Sequence, residues 1–297
     1  MPMIETRDGT HLYVKAWGQG PAVVLIHGWP LNADSWDPVM NALAEAGYRA
    51  IAYDRRGFGR SDQPGHGYDY DTFADDLADV LAATNARDNA ALVGFSMGGG
   101  EVARFLSRHG AAGIARVALV SSVVPFMAKT EDNPEGVPAE TFDQMTNGML
   151  EDRAKFMHHF LKDFYGIGLL AQPVSDEQVK LSWNHAMQAG LLPTLAAAKA
   201  FATTDFRGDL ASFTVPTLVI HGTADKTVPI EATGRAVARA VPHATLVEYS
   251  GAPHGVFGTA TERLIADLTD FLAGRSPEDR QTALDMATAQ MLVTPNV

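Results

Sequence analysis

The chain has 297 residues, of which 46% are hydrophobic and 20% charged, enough to bury a large core in one domain with an insertion. Its net charge of -12 comes from 35 Asp and Glu against 23 Lys and Arg, without a basic block, which argues against a nucleic-acid partner. The sequence has no Cys, which excludes disulfides, a thiolate nucleophile and thiolate metal ligands.

The N-terminal residues and the apolar runs predict a cytoplasmic protein with no membrane partner. Residues 1–8 include acidic side chains and no apolar run, so no signal peptide is expected. The longest apolar runs have the length of strands and fall far short of a membrane span.

Eight apolar or alternating runs predict the strands of one sheet. In chain order they lie at residues 3–6, 11–18, 22–26, 48–54, 90–93, 116–121, 215–222 and 244–250. The first two are short and predict an antiparallel edge. The others alternate with helical segments, which is typical of a parallel sheet covered on both faces. The predicted fold class is α/β, with a mainly parallel eight-stranded sheet.

Two capping-box patterns predict helix starts. One pairs Thr72 with Asp75, and the other pairs Thr259 with Glu262. The second helix carries an apolar stripe that includes Leu264, and this stripe is predicted to be core.

The segment between the sixth and seventh predicted strands is too long for a plain crossover. Phe156, Phe160 and Phe164 recur there at four-residue spacing, and Trp183 lies in a further apolar pattern. We therefore predict a helical cap over the active edge of the sheet. The predicted units are a core domain at 1–124 and 214–274, a cap at 125–213 and a tail at 275–297.

The tail is predicted to form a further helix. Ser276 and Pro277 provide an N-cap and a first helical residue, and Ala283, Leu284, Ala287 and Met291 give a weak apolar face. This helix either docks on its own subunit or joins subunits in a homo-oligomer, and the sequence leaves both alternatives open.

The most informative motif is Gly94-Phe95-Ser96-Met97-Gly98, which follows an apolar run and precedes a helical segment. A strand that turns at once into a helix holds its corner residue in a strained conformation, and glycine two positions before and after leaves room for the neighbouring backbones. This context indicates a nucleophile elbow that projects Ser96 into a cleft at the carboxyl edge of the sheet.

A serine hydroxyl needs a histidine to take its proton and a carboxylate to orient that histidine. Asp225 follows the seventh predicted strand and His254 follows the eighth, in the chain order serine, acid, histidine that such an elbow requires. Asp205 and Asp209 remain alternative acids of lower rank, because both precede a strand.

The other histidines fit the base role less well. His27 and His221 each end a strand before a glycine, where a packed, hydrogen-bonded imidazole is the favoured interpretation. His158 and His159 are adjacent on a predicted helix, so they cannot hold a metal as residues at i and i+4 would. No P-loop, HExxH or EF-hand pattern occurs in the sequence, so neither a phosphate-binding loop nor a metal site is expected.

An oxyanion hole requires two backbone N–H groups aimed at one point. Met97 supplies one at the start of the helix after Ser96, where the helix dipole also favours negative charge. The second is expected from the loop after the third strand, where Pro30 has no N–H. Trp29 is therefore the assigned second donor.

Four segments together resemble the α/β-hydrolase superfamily and, within it, the bacterial cofactor-free haloperoxidases, or perhydrolases and aryl esterases. These segments are residues 28–36, 53–61, 94–104 and 250–255. The resemblance covers roughly residues 3–273. It implies Ser96, Asp225 and His254 as the catalytic set, the Trp29 and Met97 amides as the oxyanion hole, and no cofactor.

The resemblance also implies a small ester or carboxylic acid as substrate, with water or hydrogen peroxide as the second reactant. Peroxide would give a peracid, which then oxidises halide without the enzyme. Pro30 is the residue that bears on this activity, because proline fixes its own backbone and pushes Trp29 toward an extended conformation. If this turns the Trp29 carbonyl into the cleft, that oxygen can accept a hydrogen bond from a peroxide hydroxyl. Pro30 acting only to stiffen the loop is the alternative.

Pocket walls are expected from Phe126 and Met97, which flank loop ends, and from Phe160 and Trp183 on the cap. The alternative for the cap aromatics is simple packing onto the core. The predicted activity is ester hydrolysis through an acyl-enzyme with perhydrolase side activity. A lactonase or amidase, and a small-ligand receptor with slow hydrolysis, remain alternatives.

Overall fold

The computed structural model describes residues 3–169 and 171–275, and this part of the chain contains one eight-stranded sheet. Its strands are β1 (Met3–Glu5), β2 (His11–Trp17), β3 (Ala22–Ile26), β4 (Arg49–Tyr53), β5 (Ala90–Phe95), β6 (Ile114–Val120), β7 (Thr217–Gly222) and β8 (Ala244–Tyr249). The predicted α/β class and the eight strands are confirmed. The tail helix predicted from Ser276 onward lies outside the described residues.

The strands follow the order β1-β2-β4-β3-β5-β6-β7-β8. The β1–β2 and β2–β4 pairs are antiparallel, as expected for the edge, and all later pairs are parallel. The six parallel strands therefore end at one edge of the sheet, and the loops that follow them meet there.

Helices cover both faces of the sheet. In chain order they are α1 (Asp37–Glu45), α2 (Tyr70–Ala83), α3 (Met97–His109), α4 (Ala139–Phe164), α5 (Asp176–Gln188), α6 (Leu191–Thr203), α7 (Gly234–Ala240), α8 (Val256–Thr259) and α9 (Thr261–Leu272). Side chains of β3 show the two layers, since Val24 and Ile26 pack with α2 and α3, whereas Val23 and Leu25 pack with α1 and α9. This is the alternation of a strand buried on both faces.

The two predicted capping boxes are wrong in position. Helix α2 begins earlier than Thr72, because the Asp69 carboxylate accepts the Thr72 N–H at 3.0 Å and so takes the N-cap role. Thr259 ends the short helix α8, and α9 begins after Ala260 without a side-chain cap.

Helices α4, α5 and α6 lie between β6 and β7, within the segment predicted as a cap. Helix α4 is kinked at Asp152, whose φ of -154° and ψ of 88° interrupt the helical backbone. The Asp152 carboxylate accepts the Lys155 N–H at 2.9 Å and caps the second half of the helix. The two halves of α4 therefore point in different directions. In the described part of the chain, no helix is both long and apolar enough to span a lipid bilayer.

Candidate active site

Ser96 occupies a strained corner between β5 and α3. Its φ of 52° and ψ of -119° lie outside the regions that a side chain normally favours. The flanking glycines permit this turn, because a Cβ on Gly94 would lie 2.6 Å from the Gly98 carbonyl oxygen and one on Gly98 would lie 2.5 Å from the Ile26 carbonyl oxygen. The corner thus presents the Ser96 hydroxyl at the carboxyl edge of the sheet.

The structure brings Ser96, His254 and Asp225 into one chain of hydrogen bonds. The Ser96 hydroxyl donates to His254 Nε2 at 2.9 Å, and His254 Nδ1 donates to Asp225 Oδ2 at 2.7 Å. The imidazole is almost fully buried and packs against the rings of Phe95 and Phe164, whose centroids are 5.1 and 4.9 Å away. This packing and the carboxylate fix the tautomer that leaves Nε2 free to accept a proton.

Asp225 is held as a carboxylate by several donors. Its Oδ1 accepts the backbone N–H groups of Thr227 and Val228 at 2.9 and 2.8 Å, while its Oδ2 faces His254 and lies 3.3 Å from His221 Nε2. Burial alone would raise the pKa of Asp225, but the charge interaction with His254 and the hydrogen bonds from both histidines outweigh it and hold that pKa below its usual range. The group therefore stays ionised at neutral pH.

A cavity of about 520 Å³ opens onto Ser96 and His254. Its walls are mainly apolar and include Trp29, Phe142, Met145, Phe156, Phe160 and Phe201. Both halves of the kinked helix α4 contribute to the wall. Gln144, His159, Asp163 and Lys226 add polar groups. Such a cavity suits a substrate with an apolar body whose reactive group lies beside Ser96.

The two expected oxyanion donors flank Ser96 from different elements. Met97 is the first residue of α3, where an N–H has no partner within the helix. Trp29 lies in the loop after β3 and lines the cavity with Ser96. Its indole donates to the Thr194 carbonyl on α6 at 2.9 Å, which ties this loop to the helical insertion, and the Trp29–Pro30 peptide is cis.

The chain is similar to known proteins over most of its length. A profile described as alpha/beta hydrolase fold matches residues 21–261. The chain belongs to this family. A non-heme chloroperoxidase of Kitasatospora aureofaciens is 44% identical over 274 residues, covering 92% of this chain and 99% of that protein. A bifunctional esterase/perhydrolase of Acinetobacter calcoaceticus is 38% identical over 275 residues, covering 92% and 99%.

A solved structure agrees with the sequence comparisons. The bromoperoxidase from Bacillus anthracis superposes with a TM-score of 0.88 at 42% identity, covering 92% of this chain and 99% of that one. The resemblance inferred from the four motifs is confirmed, and the fold is that of an α/β hydrolase with an eight-stranded, mostly parallel sheet.

In this α/β hydrolase, three residues expected in the pocket wall lie elsewhere. The Phe126 ring packs against the Arg207 guanidinium, 5.0 Å from its centroid, beside a different cleft. Trp183 donates its indole N–H to the Ala154 carbonyl at 2.9 Å, so it joins α5 to α4. The Met97 side chain is fully buried in the core. Phe160 does line the cavity.

Sequence reasoning missed several cavity residues of the hydrolase. Phe142 and Met145 lie three residues apart on α4, and that spacing was a readable sign of one helix face. Lys226 and Val228 follow Asp225 directly but carried no distinguishing pattern. The alternative acids are paired elsewhere, since Asp209 binds Arg104 at 3.1 Å and Asp205 binds Arg207 at 2.6 Å.

The remaining histidines of the hydrolase have packing roles or lie at the surface. His27 and His221 are fully buried and hydrogen-bonded, as expected. His158 and His159 are exposed neighbours on α4, and His159 also lines the active-site cavity. Residues 3–169 and 171–275 contain no group of three or more His, Asp or Glu placed to hold a metal ion.

Proposed function

We propose that this chain is a serine esterase for small carboxylic esters and that it also acts as a perhydrolase. The observation that carries the proposal is the hydrogen-bonded chain from Ser96 through His254 to Asp225 at the end of an apolar cavity. Its similarity to a chloroperoxidase and to an esterase/perhydrolase over nearly its whole length supports both activities.

Acylation begins when Ser96 Oγ attacks the ester carbonyl carbon and its proton moves to His254 Nε2. The carbonyl oxygen becomes an anion that the Trp29 and Met97 N–H groups stabilise. The bond to the alcohol oxygen then breaks, and His254 gives its proton to the leaving alcohol. Ser96 now carries the acyl group, while the Asp225 carboxylate has stabilised the imidazolium throughout.

Deacylation repeats these steps with a second nucleophile. A water molecule gives a proton to His254 and attacks the acyl carbon, and the Ser96 oxygen leaves and regains the proton, which releases a carboxylic acid. Hydrogen peroxide in place of water releases a peracid by the same proton transfers. The same acyl-enzyme therefore serves both reactions.

The test of this function is one substrate panel. Purified protein is assayed with p-nitrophenyl esters of increasing acyl length, and separately with acetate, hydrogen peroxide and bromide. Turnover of short esters and peroxide-dependent bromination are the expected results. Fewer than a few product molecules per protein in both assays would contradict the proposal and favour a receptor with slow hydrolysis.

Replacement of Pro30 by leucine is expected to lower peracid formation relative to ester hydrolysis by about 5- to 10-fold, the worth of one hydrogen bond. Leucine frees φ and restores an N–H, which removes the constraint by which we propose that Pro30 directs the Trp29 carbonyl toward an incoming peroxide. The rates of both reactions are measured on one ester. Pro38→Leu, at an exposed position of α1, is the matched control. An unchanged ratio in Pro30→Leu would contradict the role of Pro30.

Met145→Ala is expected to favour longer acyl chains. Phe142 and Met145 line both the active-site cavity and a second cavity of about 550 Å³ between α4 and α6. Removing the thioether opens this wall, and each methylene that then becomes buried is worth about 0.8 kcal/mol, or roughly fourfold in rate. The ratio of kcat/KM for octanoate over butyrate esters should rise about tenfold.

Thr146→Ala is the control for this acyl-length prediction, because Thr146 lines only the second cavity. It should leave the ratio of octanoate to butyrate hydrolysis as in the parent protein. Equal ratios in both variants would show that the second cavity does not receive the acyl chain.

A further inference from the structure

Arg55 is a buried cation that takes no part in the proton transfers of the proposed reaction. It follows β4 by two residues and has no exposed surface. Burial lowers its pKa to about 10, which still leaves the guanidinium protonated at neutral pH. A full charge is thus held inside the protein.

The contacts of Arg55 reach both elements that carry the oxyanion donors. Its Nη2 donates to the His27 carbonyl at 2.8 Å, two residues before Trp29. Its Nε donates to Glu101 Oε2 at 2.7 Å, one helical turn after Met97 on α3. Its own backbone N–H donates to His27 Nε2 at 3.0 Å, so His27 is held from two directions.

The Arg55–Glu101 pair is not expected to add much to the free energy of unfolding. Both side chains are fully buried, and an ion pair in such a place is often no more stabilising than apolar residues of similar size. Glu101 Oε1 lacks a hydrogen-bond partner among the described residues, so the pair is incompletely satisfied. A directional role explains why charged groups occupy this part of the core.

We propose that Arg55 is the positioning residue of the oxyanion hole. Its planar guanidinium joins the loop of Trp29 to helix α3, and so it fixes the two donor N–H groups relative to one another. This inference rests on the esterase function proposed above. Oxyanion stabilisation depends on donors placed within a few tenths of an ångström. Loss of the Arg55 contacts should therefore weaken binding of the transition state more than binding of the substrate.

Arg56 provides a matched control in the next position of the chain. It is also buried, and it donates to both carboxylate oxygens of Asp76 at 2.6 Å and to Asp8 at 2.8 Å. Asp76 lies on α2, so this pair joins the same loop to a helix that carries no catalytic group. Loss of either arginine removes a similar buried ion pair, but only Arg55 contacts the oxyanion elements.

The experiment compares Arg55→Lys with Arg56→Lys in the full-length protein. Lysine keeps the charge but lacks the rigid fork, so it cannot hold His27 and Glu101 in the same geometry. We expect Arg55→Lys to lower kcat about 10- to 100-fold on a p-nitrophenyl ester with KM within about twofold, since loss of a whole donor costs about 100- to 1,000-fold. Arg56→Lys should stay within about threefold of the parent kcat at a comparable loss of thermal stability.

A second readout separates positioning from general loosening. Phenylboronic acid forms a tetrahedral adduct on the serine, with an oxygen in the oxyanion hole, whereas the carboxylate product binds without that adduct. Arg55→Lys should weaken inhibition by the boronic acid by the factor lost in kcat and leave product inhibition unchanged. Equal kcat in Arg55→Lys and Arg56→Lys would overturn the inference, as would an unchanged boronic acid affinity.

Glu101→Gln with Asp76→Asn as its control repeats the comparison if Arg55→Lys does not fold. The amide keeps the shape of the carboxylate and makes a weaker hydrogen bond with Arg55. We therefore expect a lower kcat with a nearly unchanged KM, as for Arg55→Lys but with a smaller fall in kcat. Turnover by the wild-type protein distinguishes a failure of the esterase proposal from a failure of the role proposed for Arg55. An inactive wild-type protein contradicts the esterase function, whereas an active wild type with unimpaired Arg55→Lys and Glu101→Gln contradicts only the role of Arg55.

Discussion

Ser96→Ala should lower kcat for ester hydrolysis by about four to six orders of magnitude, and the peroxide-dependent reaction by a similar factor. The reason is that both reactions pass through the acyl group on Ser96 Oγ. The oxyanion donors and the cavity remain in the variant, so a small residual rate above that of water is expected. Initial rates with p-nitrophenyl butyrate and the mass of the protein after treatment with a fluorophosphonate provide the measurements.

Ser121→Ala is the matched control for this loss. Ser121 directly follows the neighbouring strand β6, is fully buried at a φ of 43°, and its hydroxyl has no hydrogen-bond partner among the described residues. Its removal should leave kcat within about twofold, because no proton passes through it. A Ser96→Ala protein that kept a tenth of the parent rate, or that still took up the phosphonate, would contradict the covalent mechanism.

The strands and the elbow were readable because their signals are local. A buried strand such as β5 is a continuous apolar run, and its end is marked by glycines that no other residue could replace at Gly94 and Gly98. Asp225 and His254 were found because each lies in the loop that follows a strand, and parallel strands end at a common edge. The geometry that joins them then follows from the sheet order.

The wall of the cavity was much less predictable. Its shape depends on the kink at Asp152, where the Asp152 carboxylate caps a new helix within what reads as one helical pattern. Trp183 is an aromatic residue of the kind that lines pockets. Its indole N–H instead donates to a carbonyl of α4, so the side chain joins two helices. Neither the kink nor the Trp183 hydrogen bond can be predicted from a short stretch of sequence.

Long-range polar pairs are not readable from a short stretch of sequence. Arg55 and Arg56 are adjacent, yet each pairs with a carboxylate on a different helix. The partners Glu101 and Asp76 lie 46 and 20 residues away and are brought close by the packing of α3 and α2 on the sheet. Such pairs depend on how whole elements pack, which periodicity does not specify.

Asp225→Asn should lower kcat by about four orders of magnitude, although the replacement is nearly isosteric. Asp225 Oδ1 accepts two backbone N–H groups, from Thr227 and Val228, so an amide at this position keeps its oxygen there. Its NH₂ group then faces His254 Nδ1, where two donors cannot meet. The imidazole changes tautomer, carries its hydrogen on Nε2, and can no longer accept the proton of Ser96.

The orientation of the amide in Asp225→Asn, and not only the lost charge, is expected to cause the fall in kcat. Neutron diffraction from crystals of the variant should show the hydrogen on His254 Nε2 directed at Ser96 Oγ, with the ring still packed against Phe95 and Phe164. Raising the pH removes protons from the solution but does not restore the tautomer, so the loss in kcat should persist from neutral to alkaline pH. Recovery of the parent kcat at high pH would contradict the proposed change of tautomer.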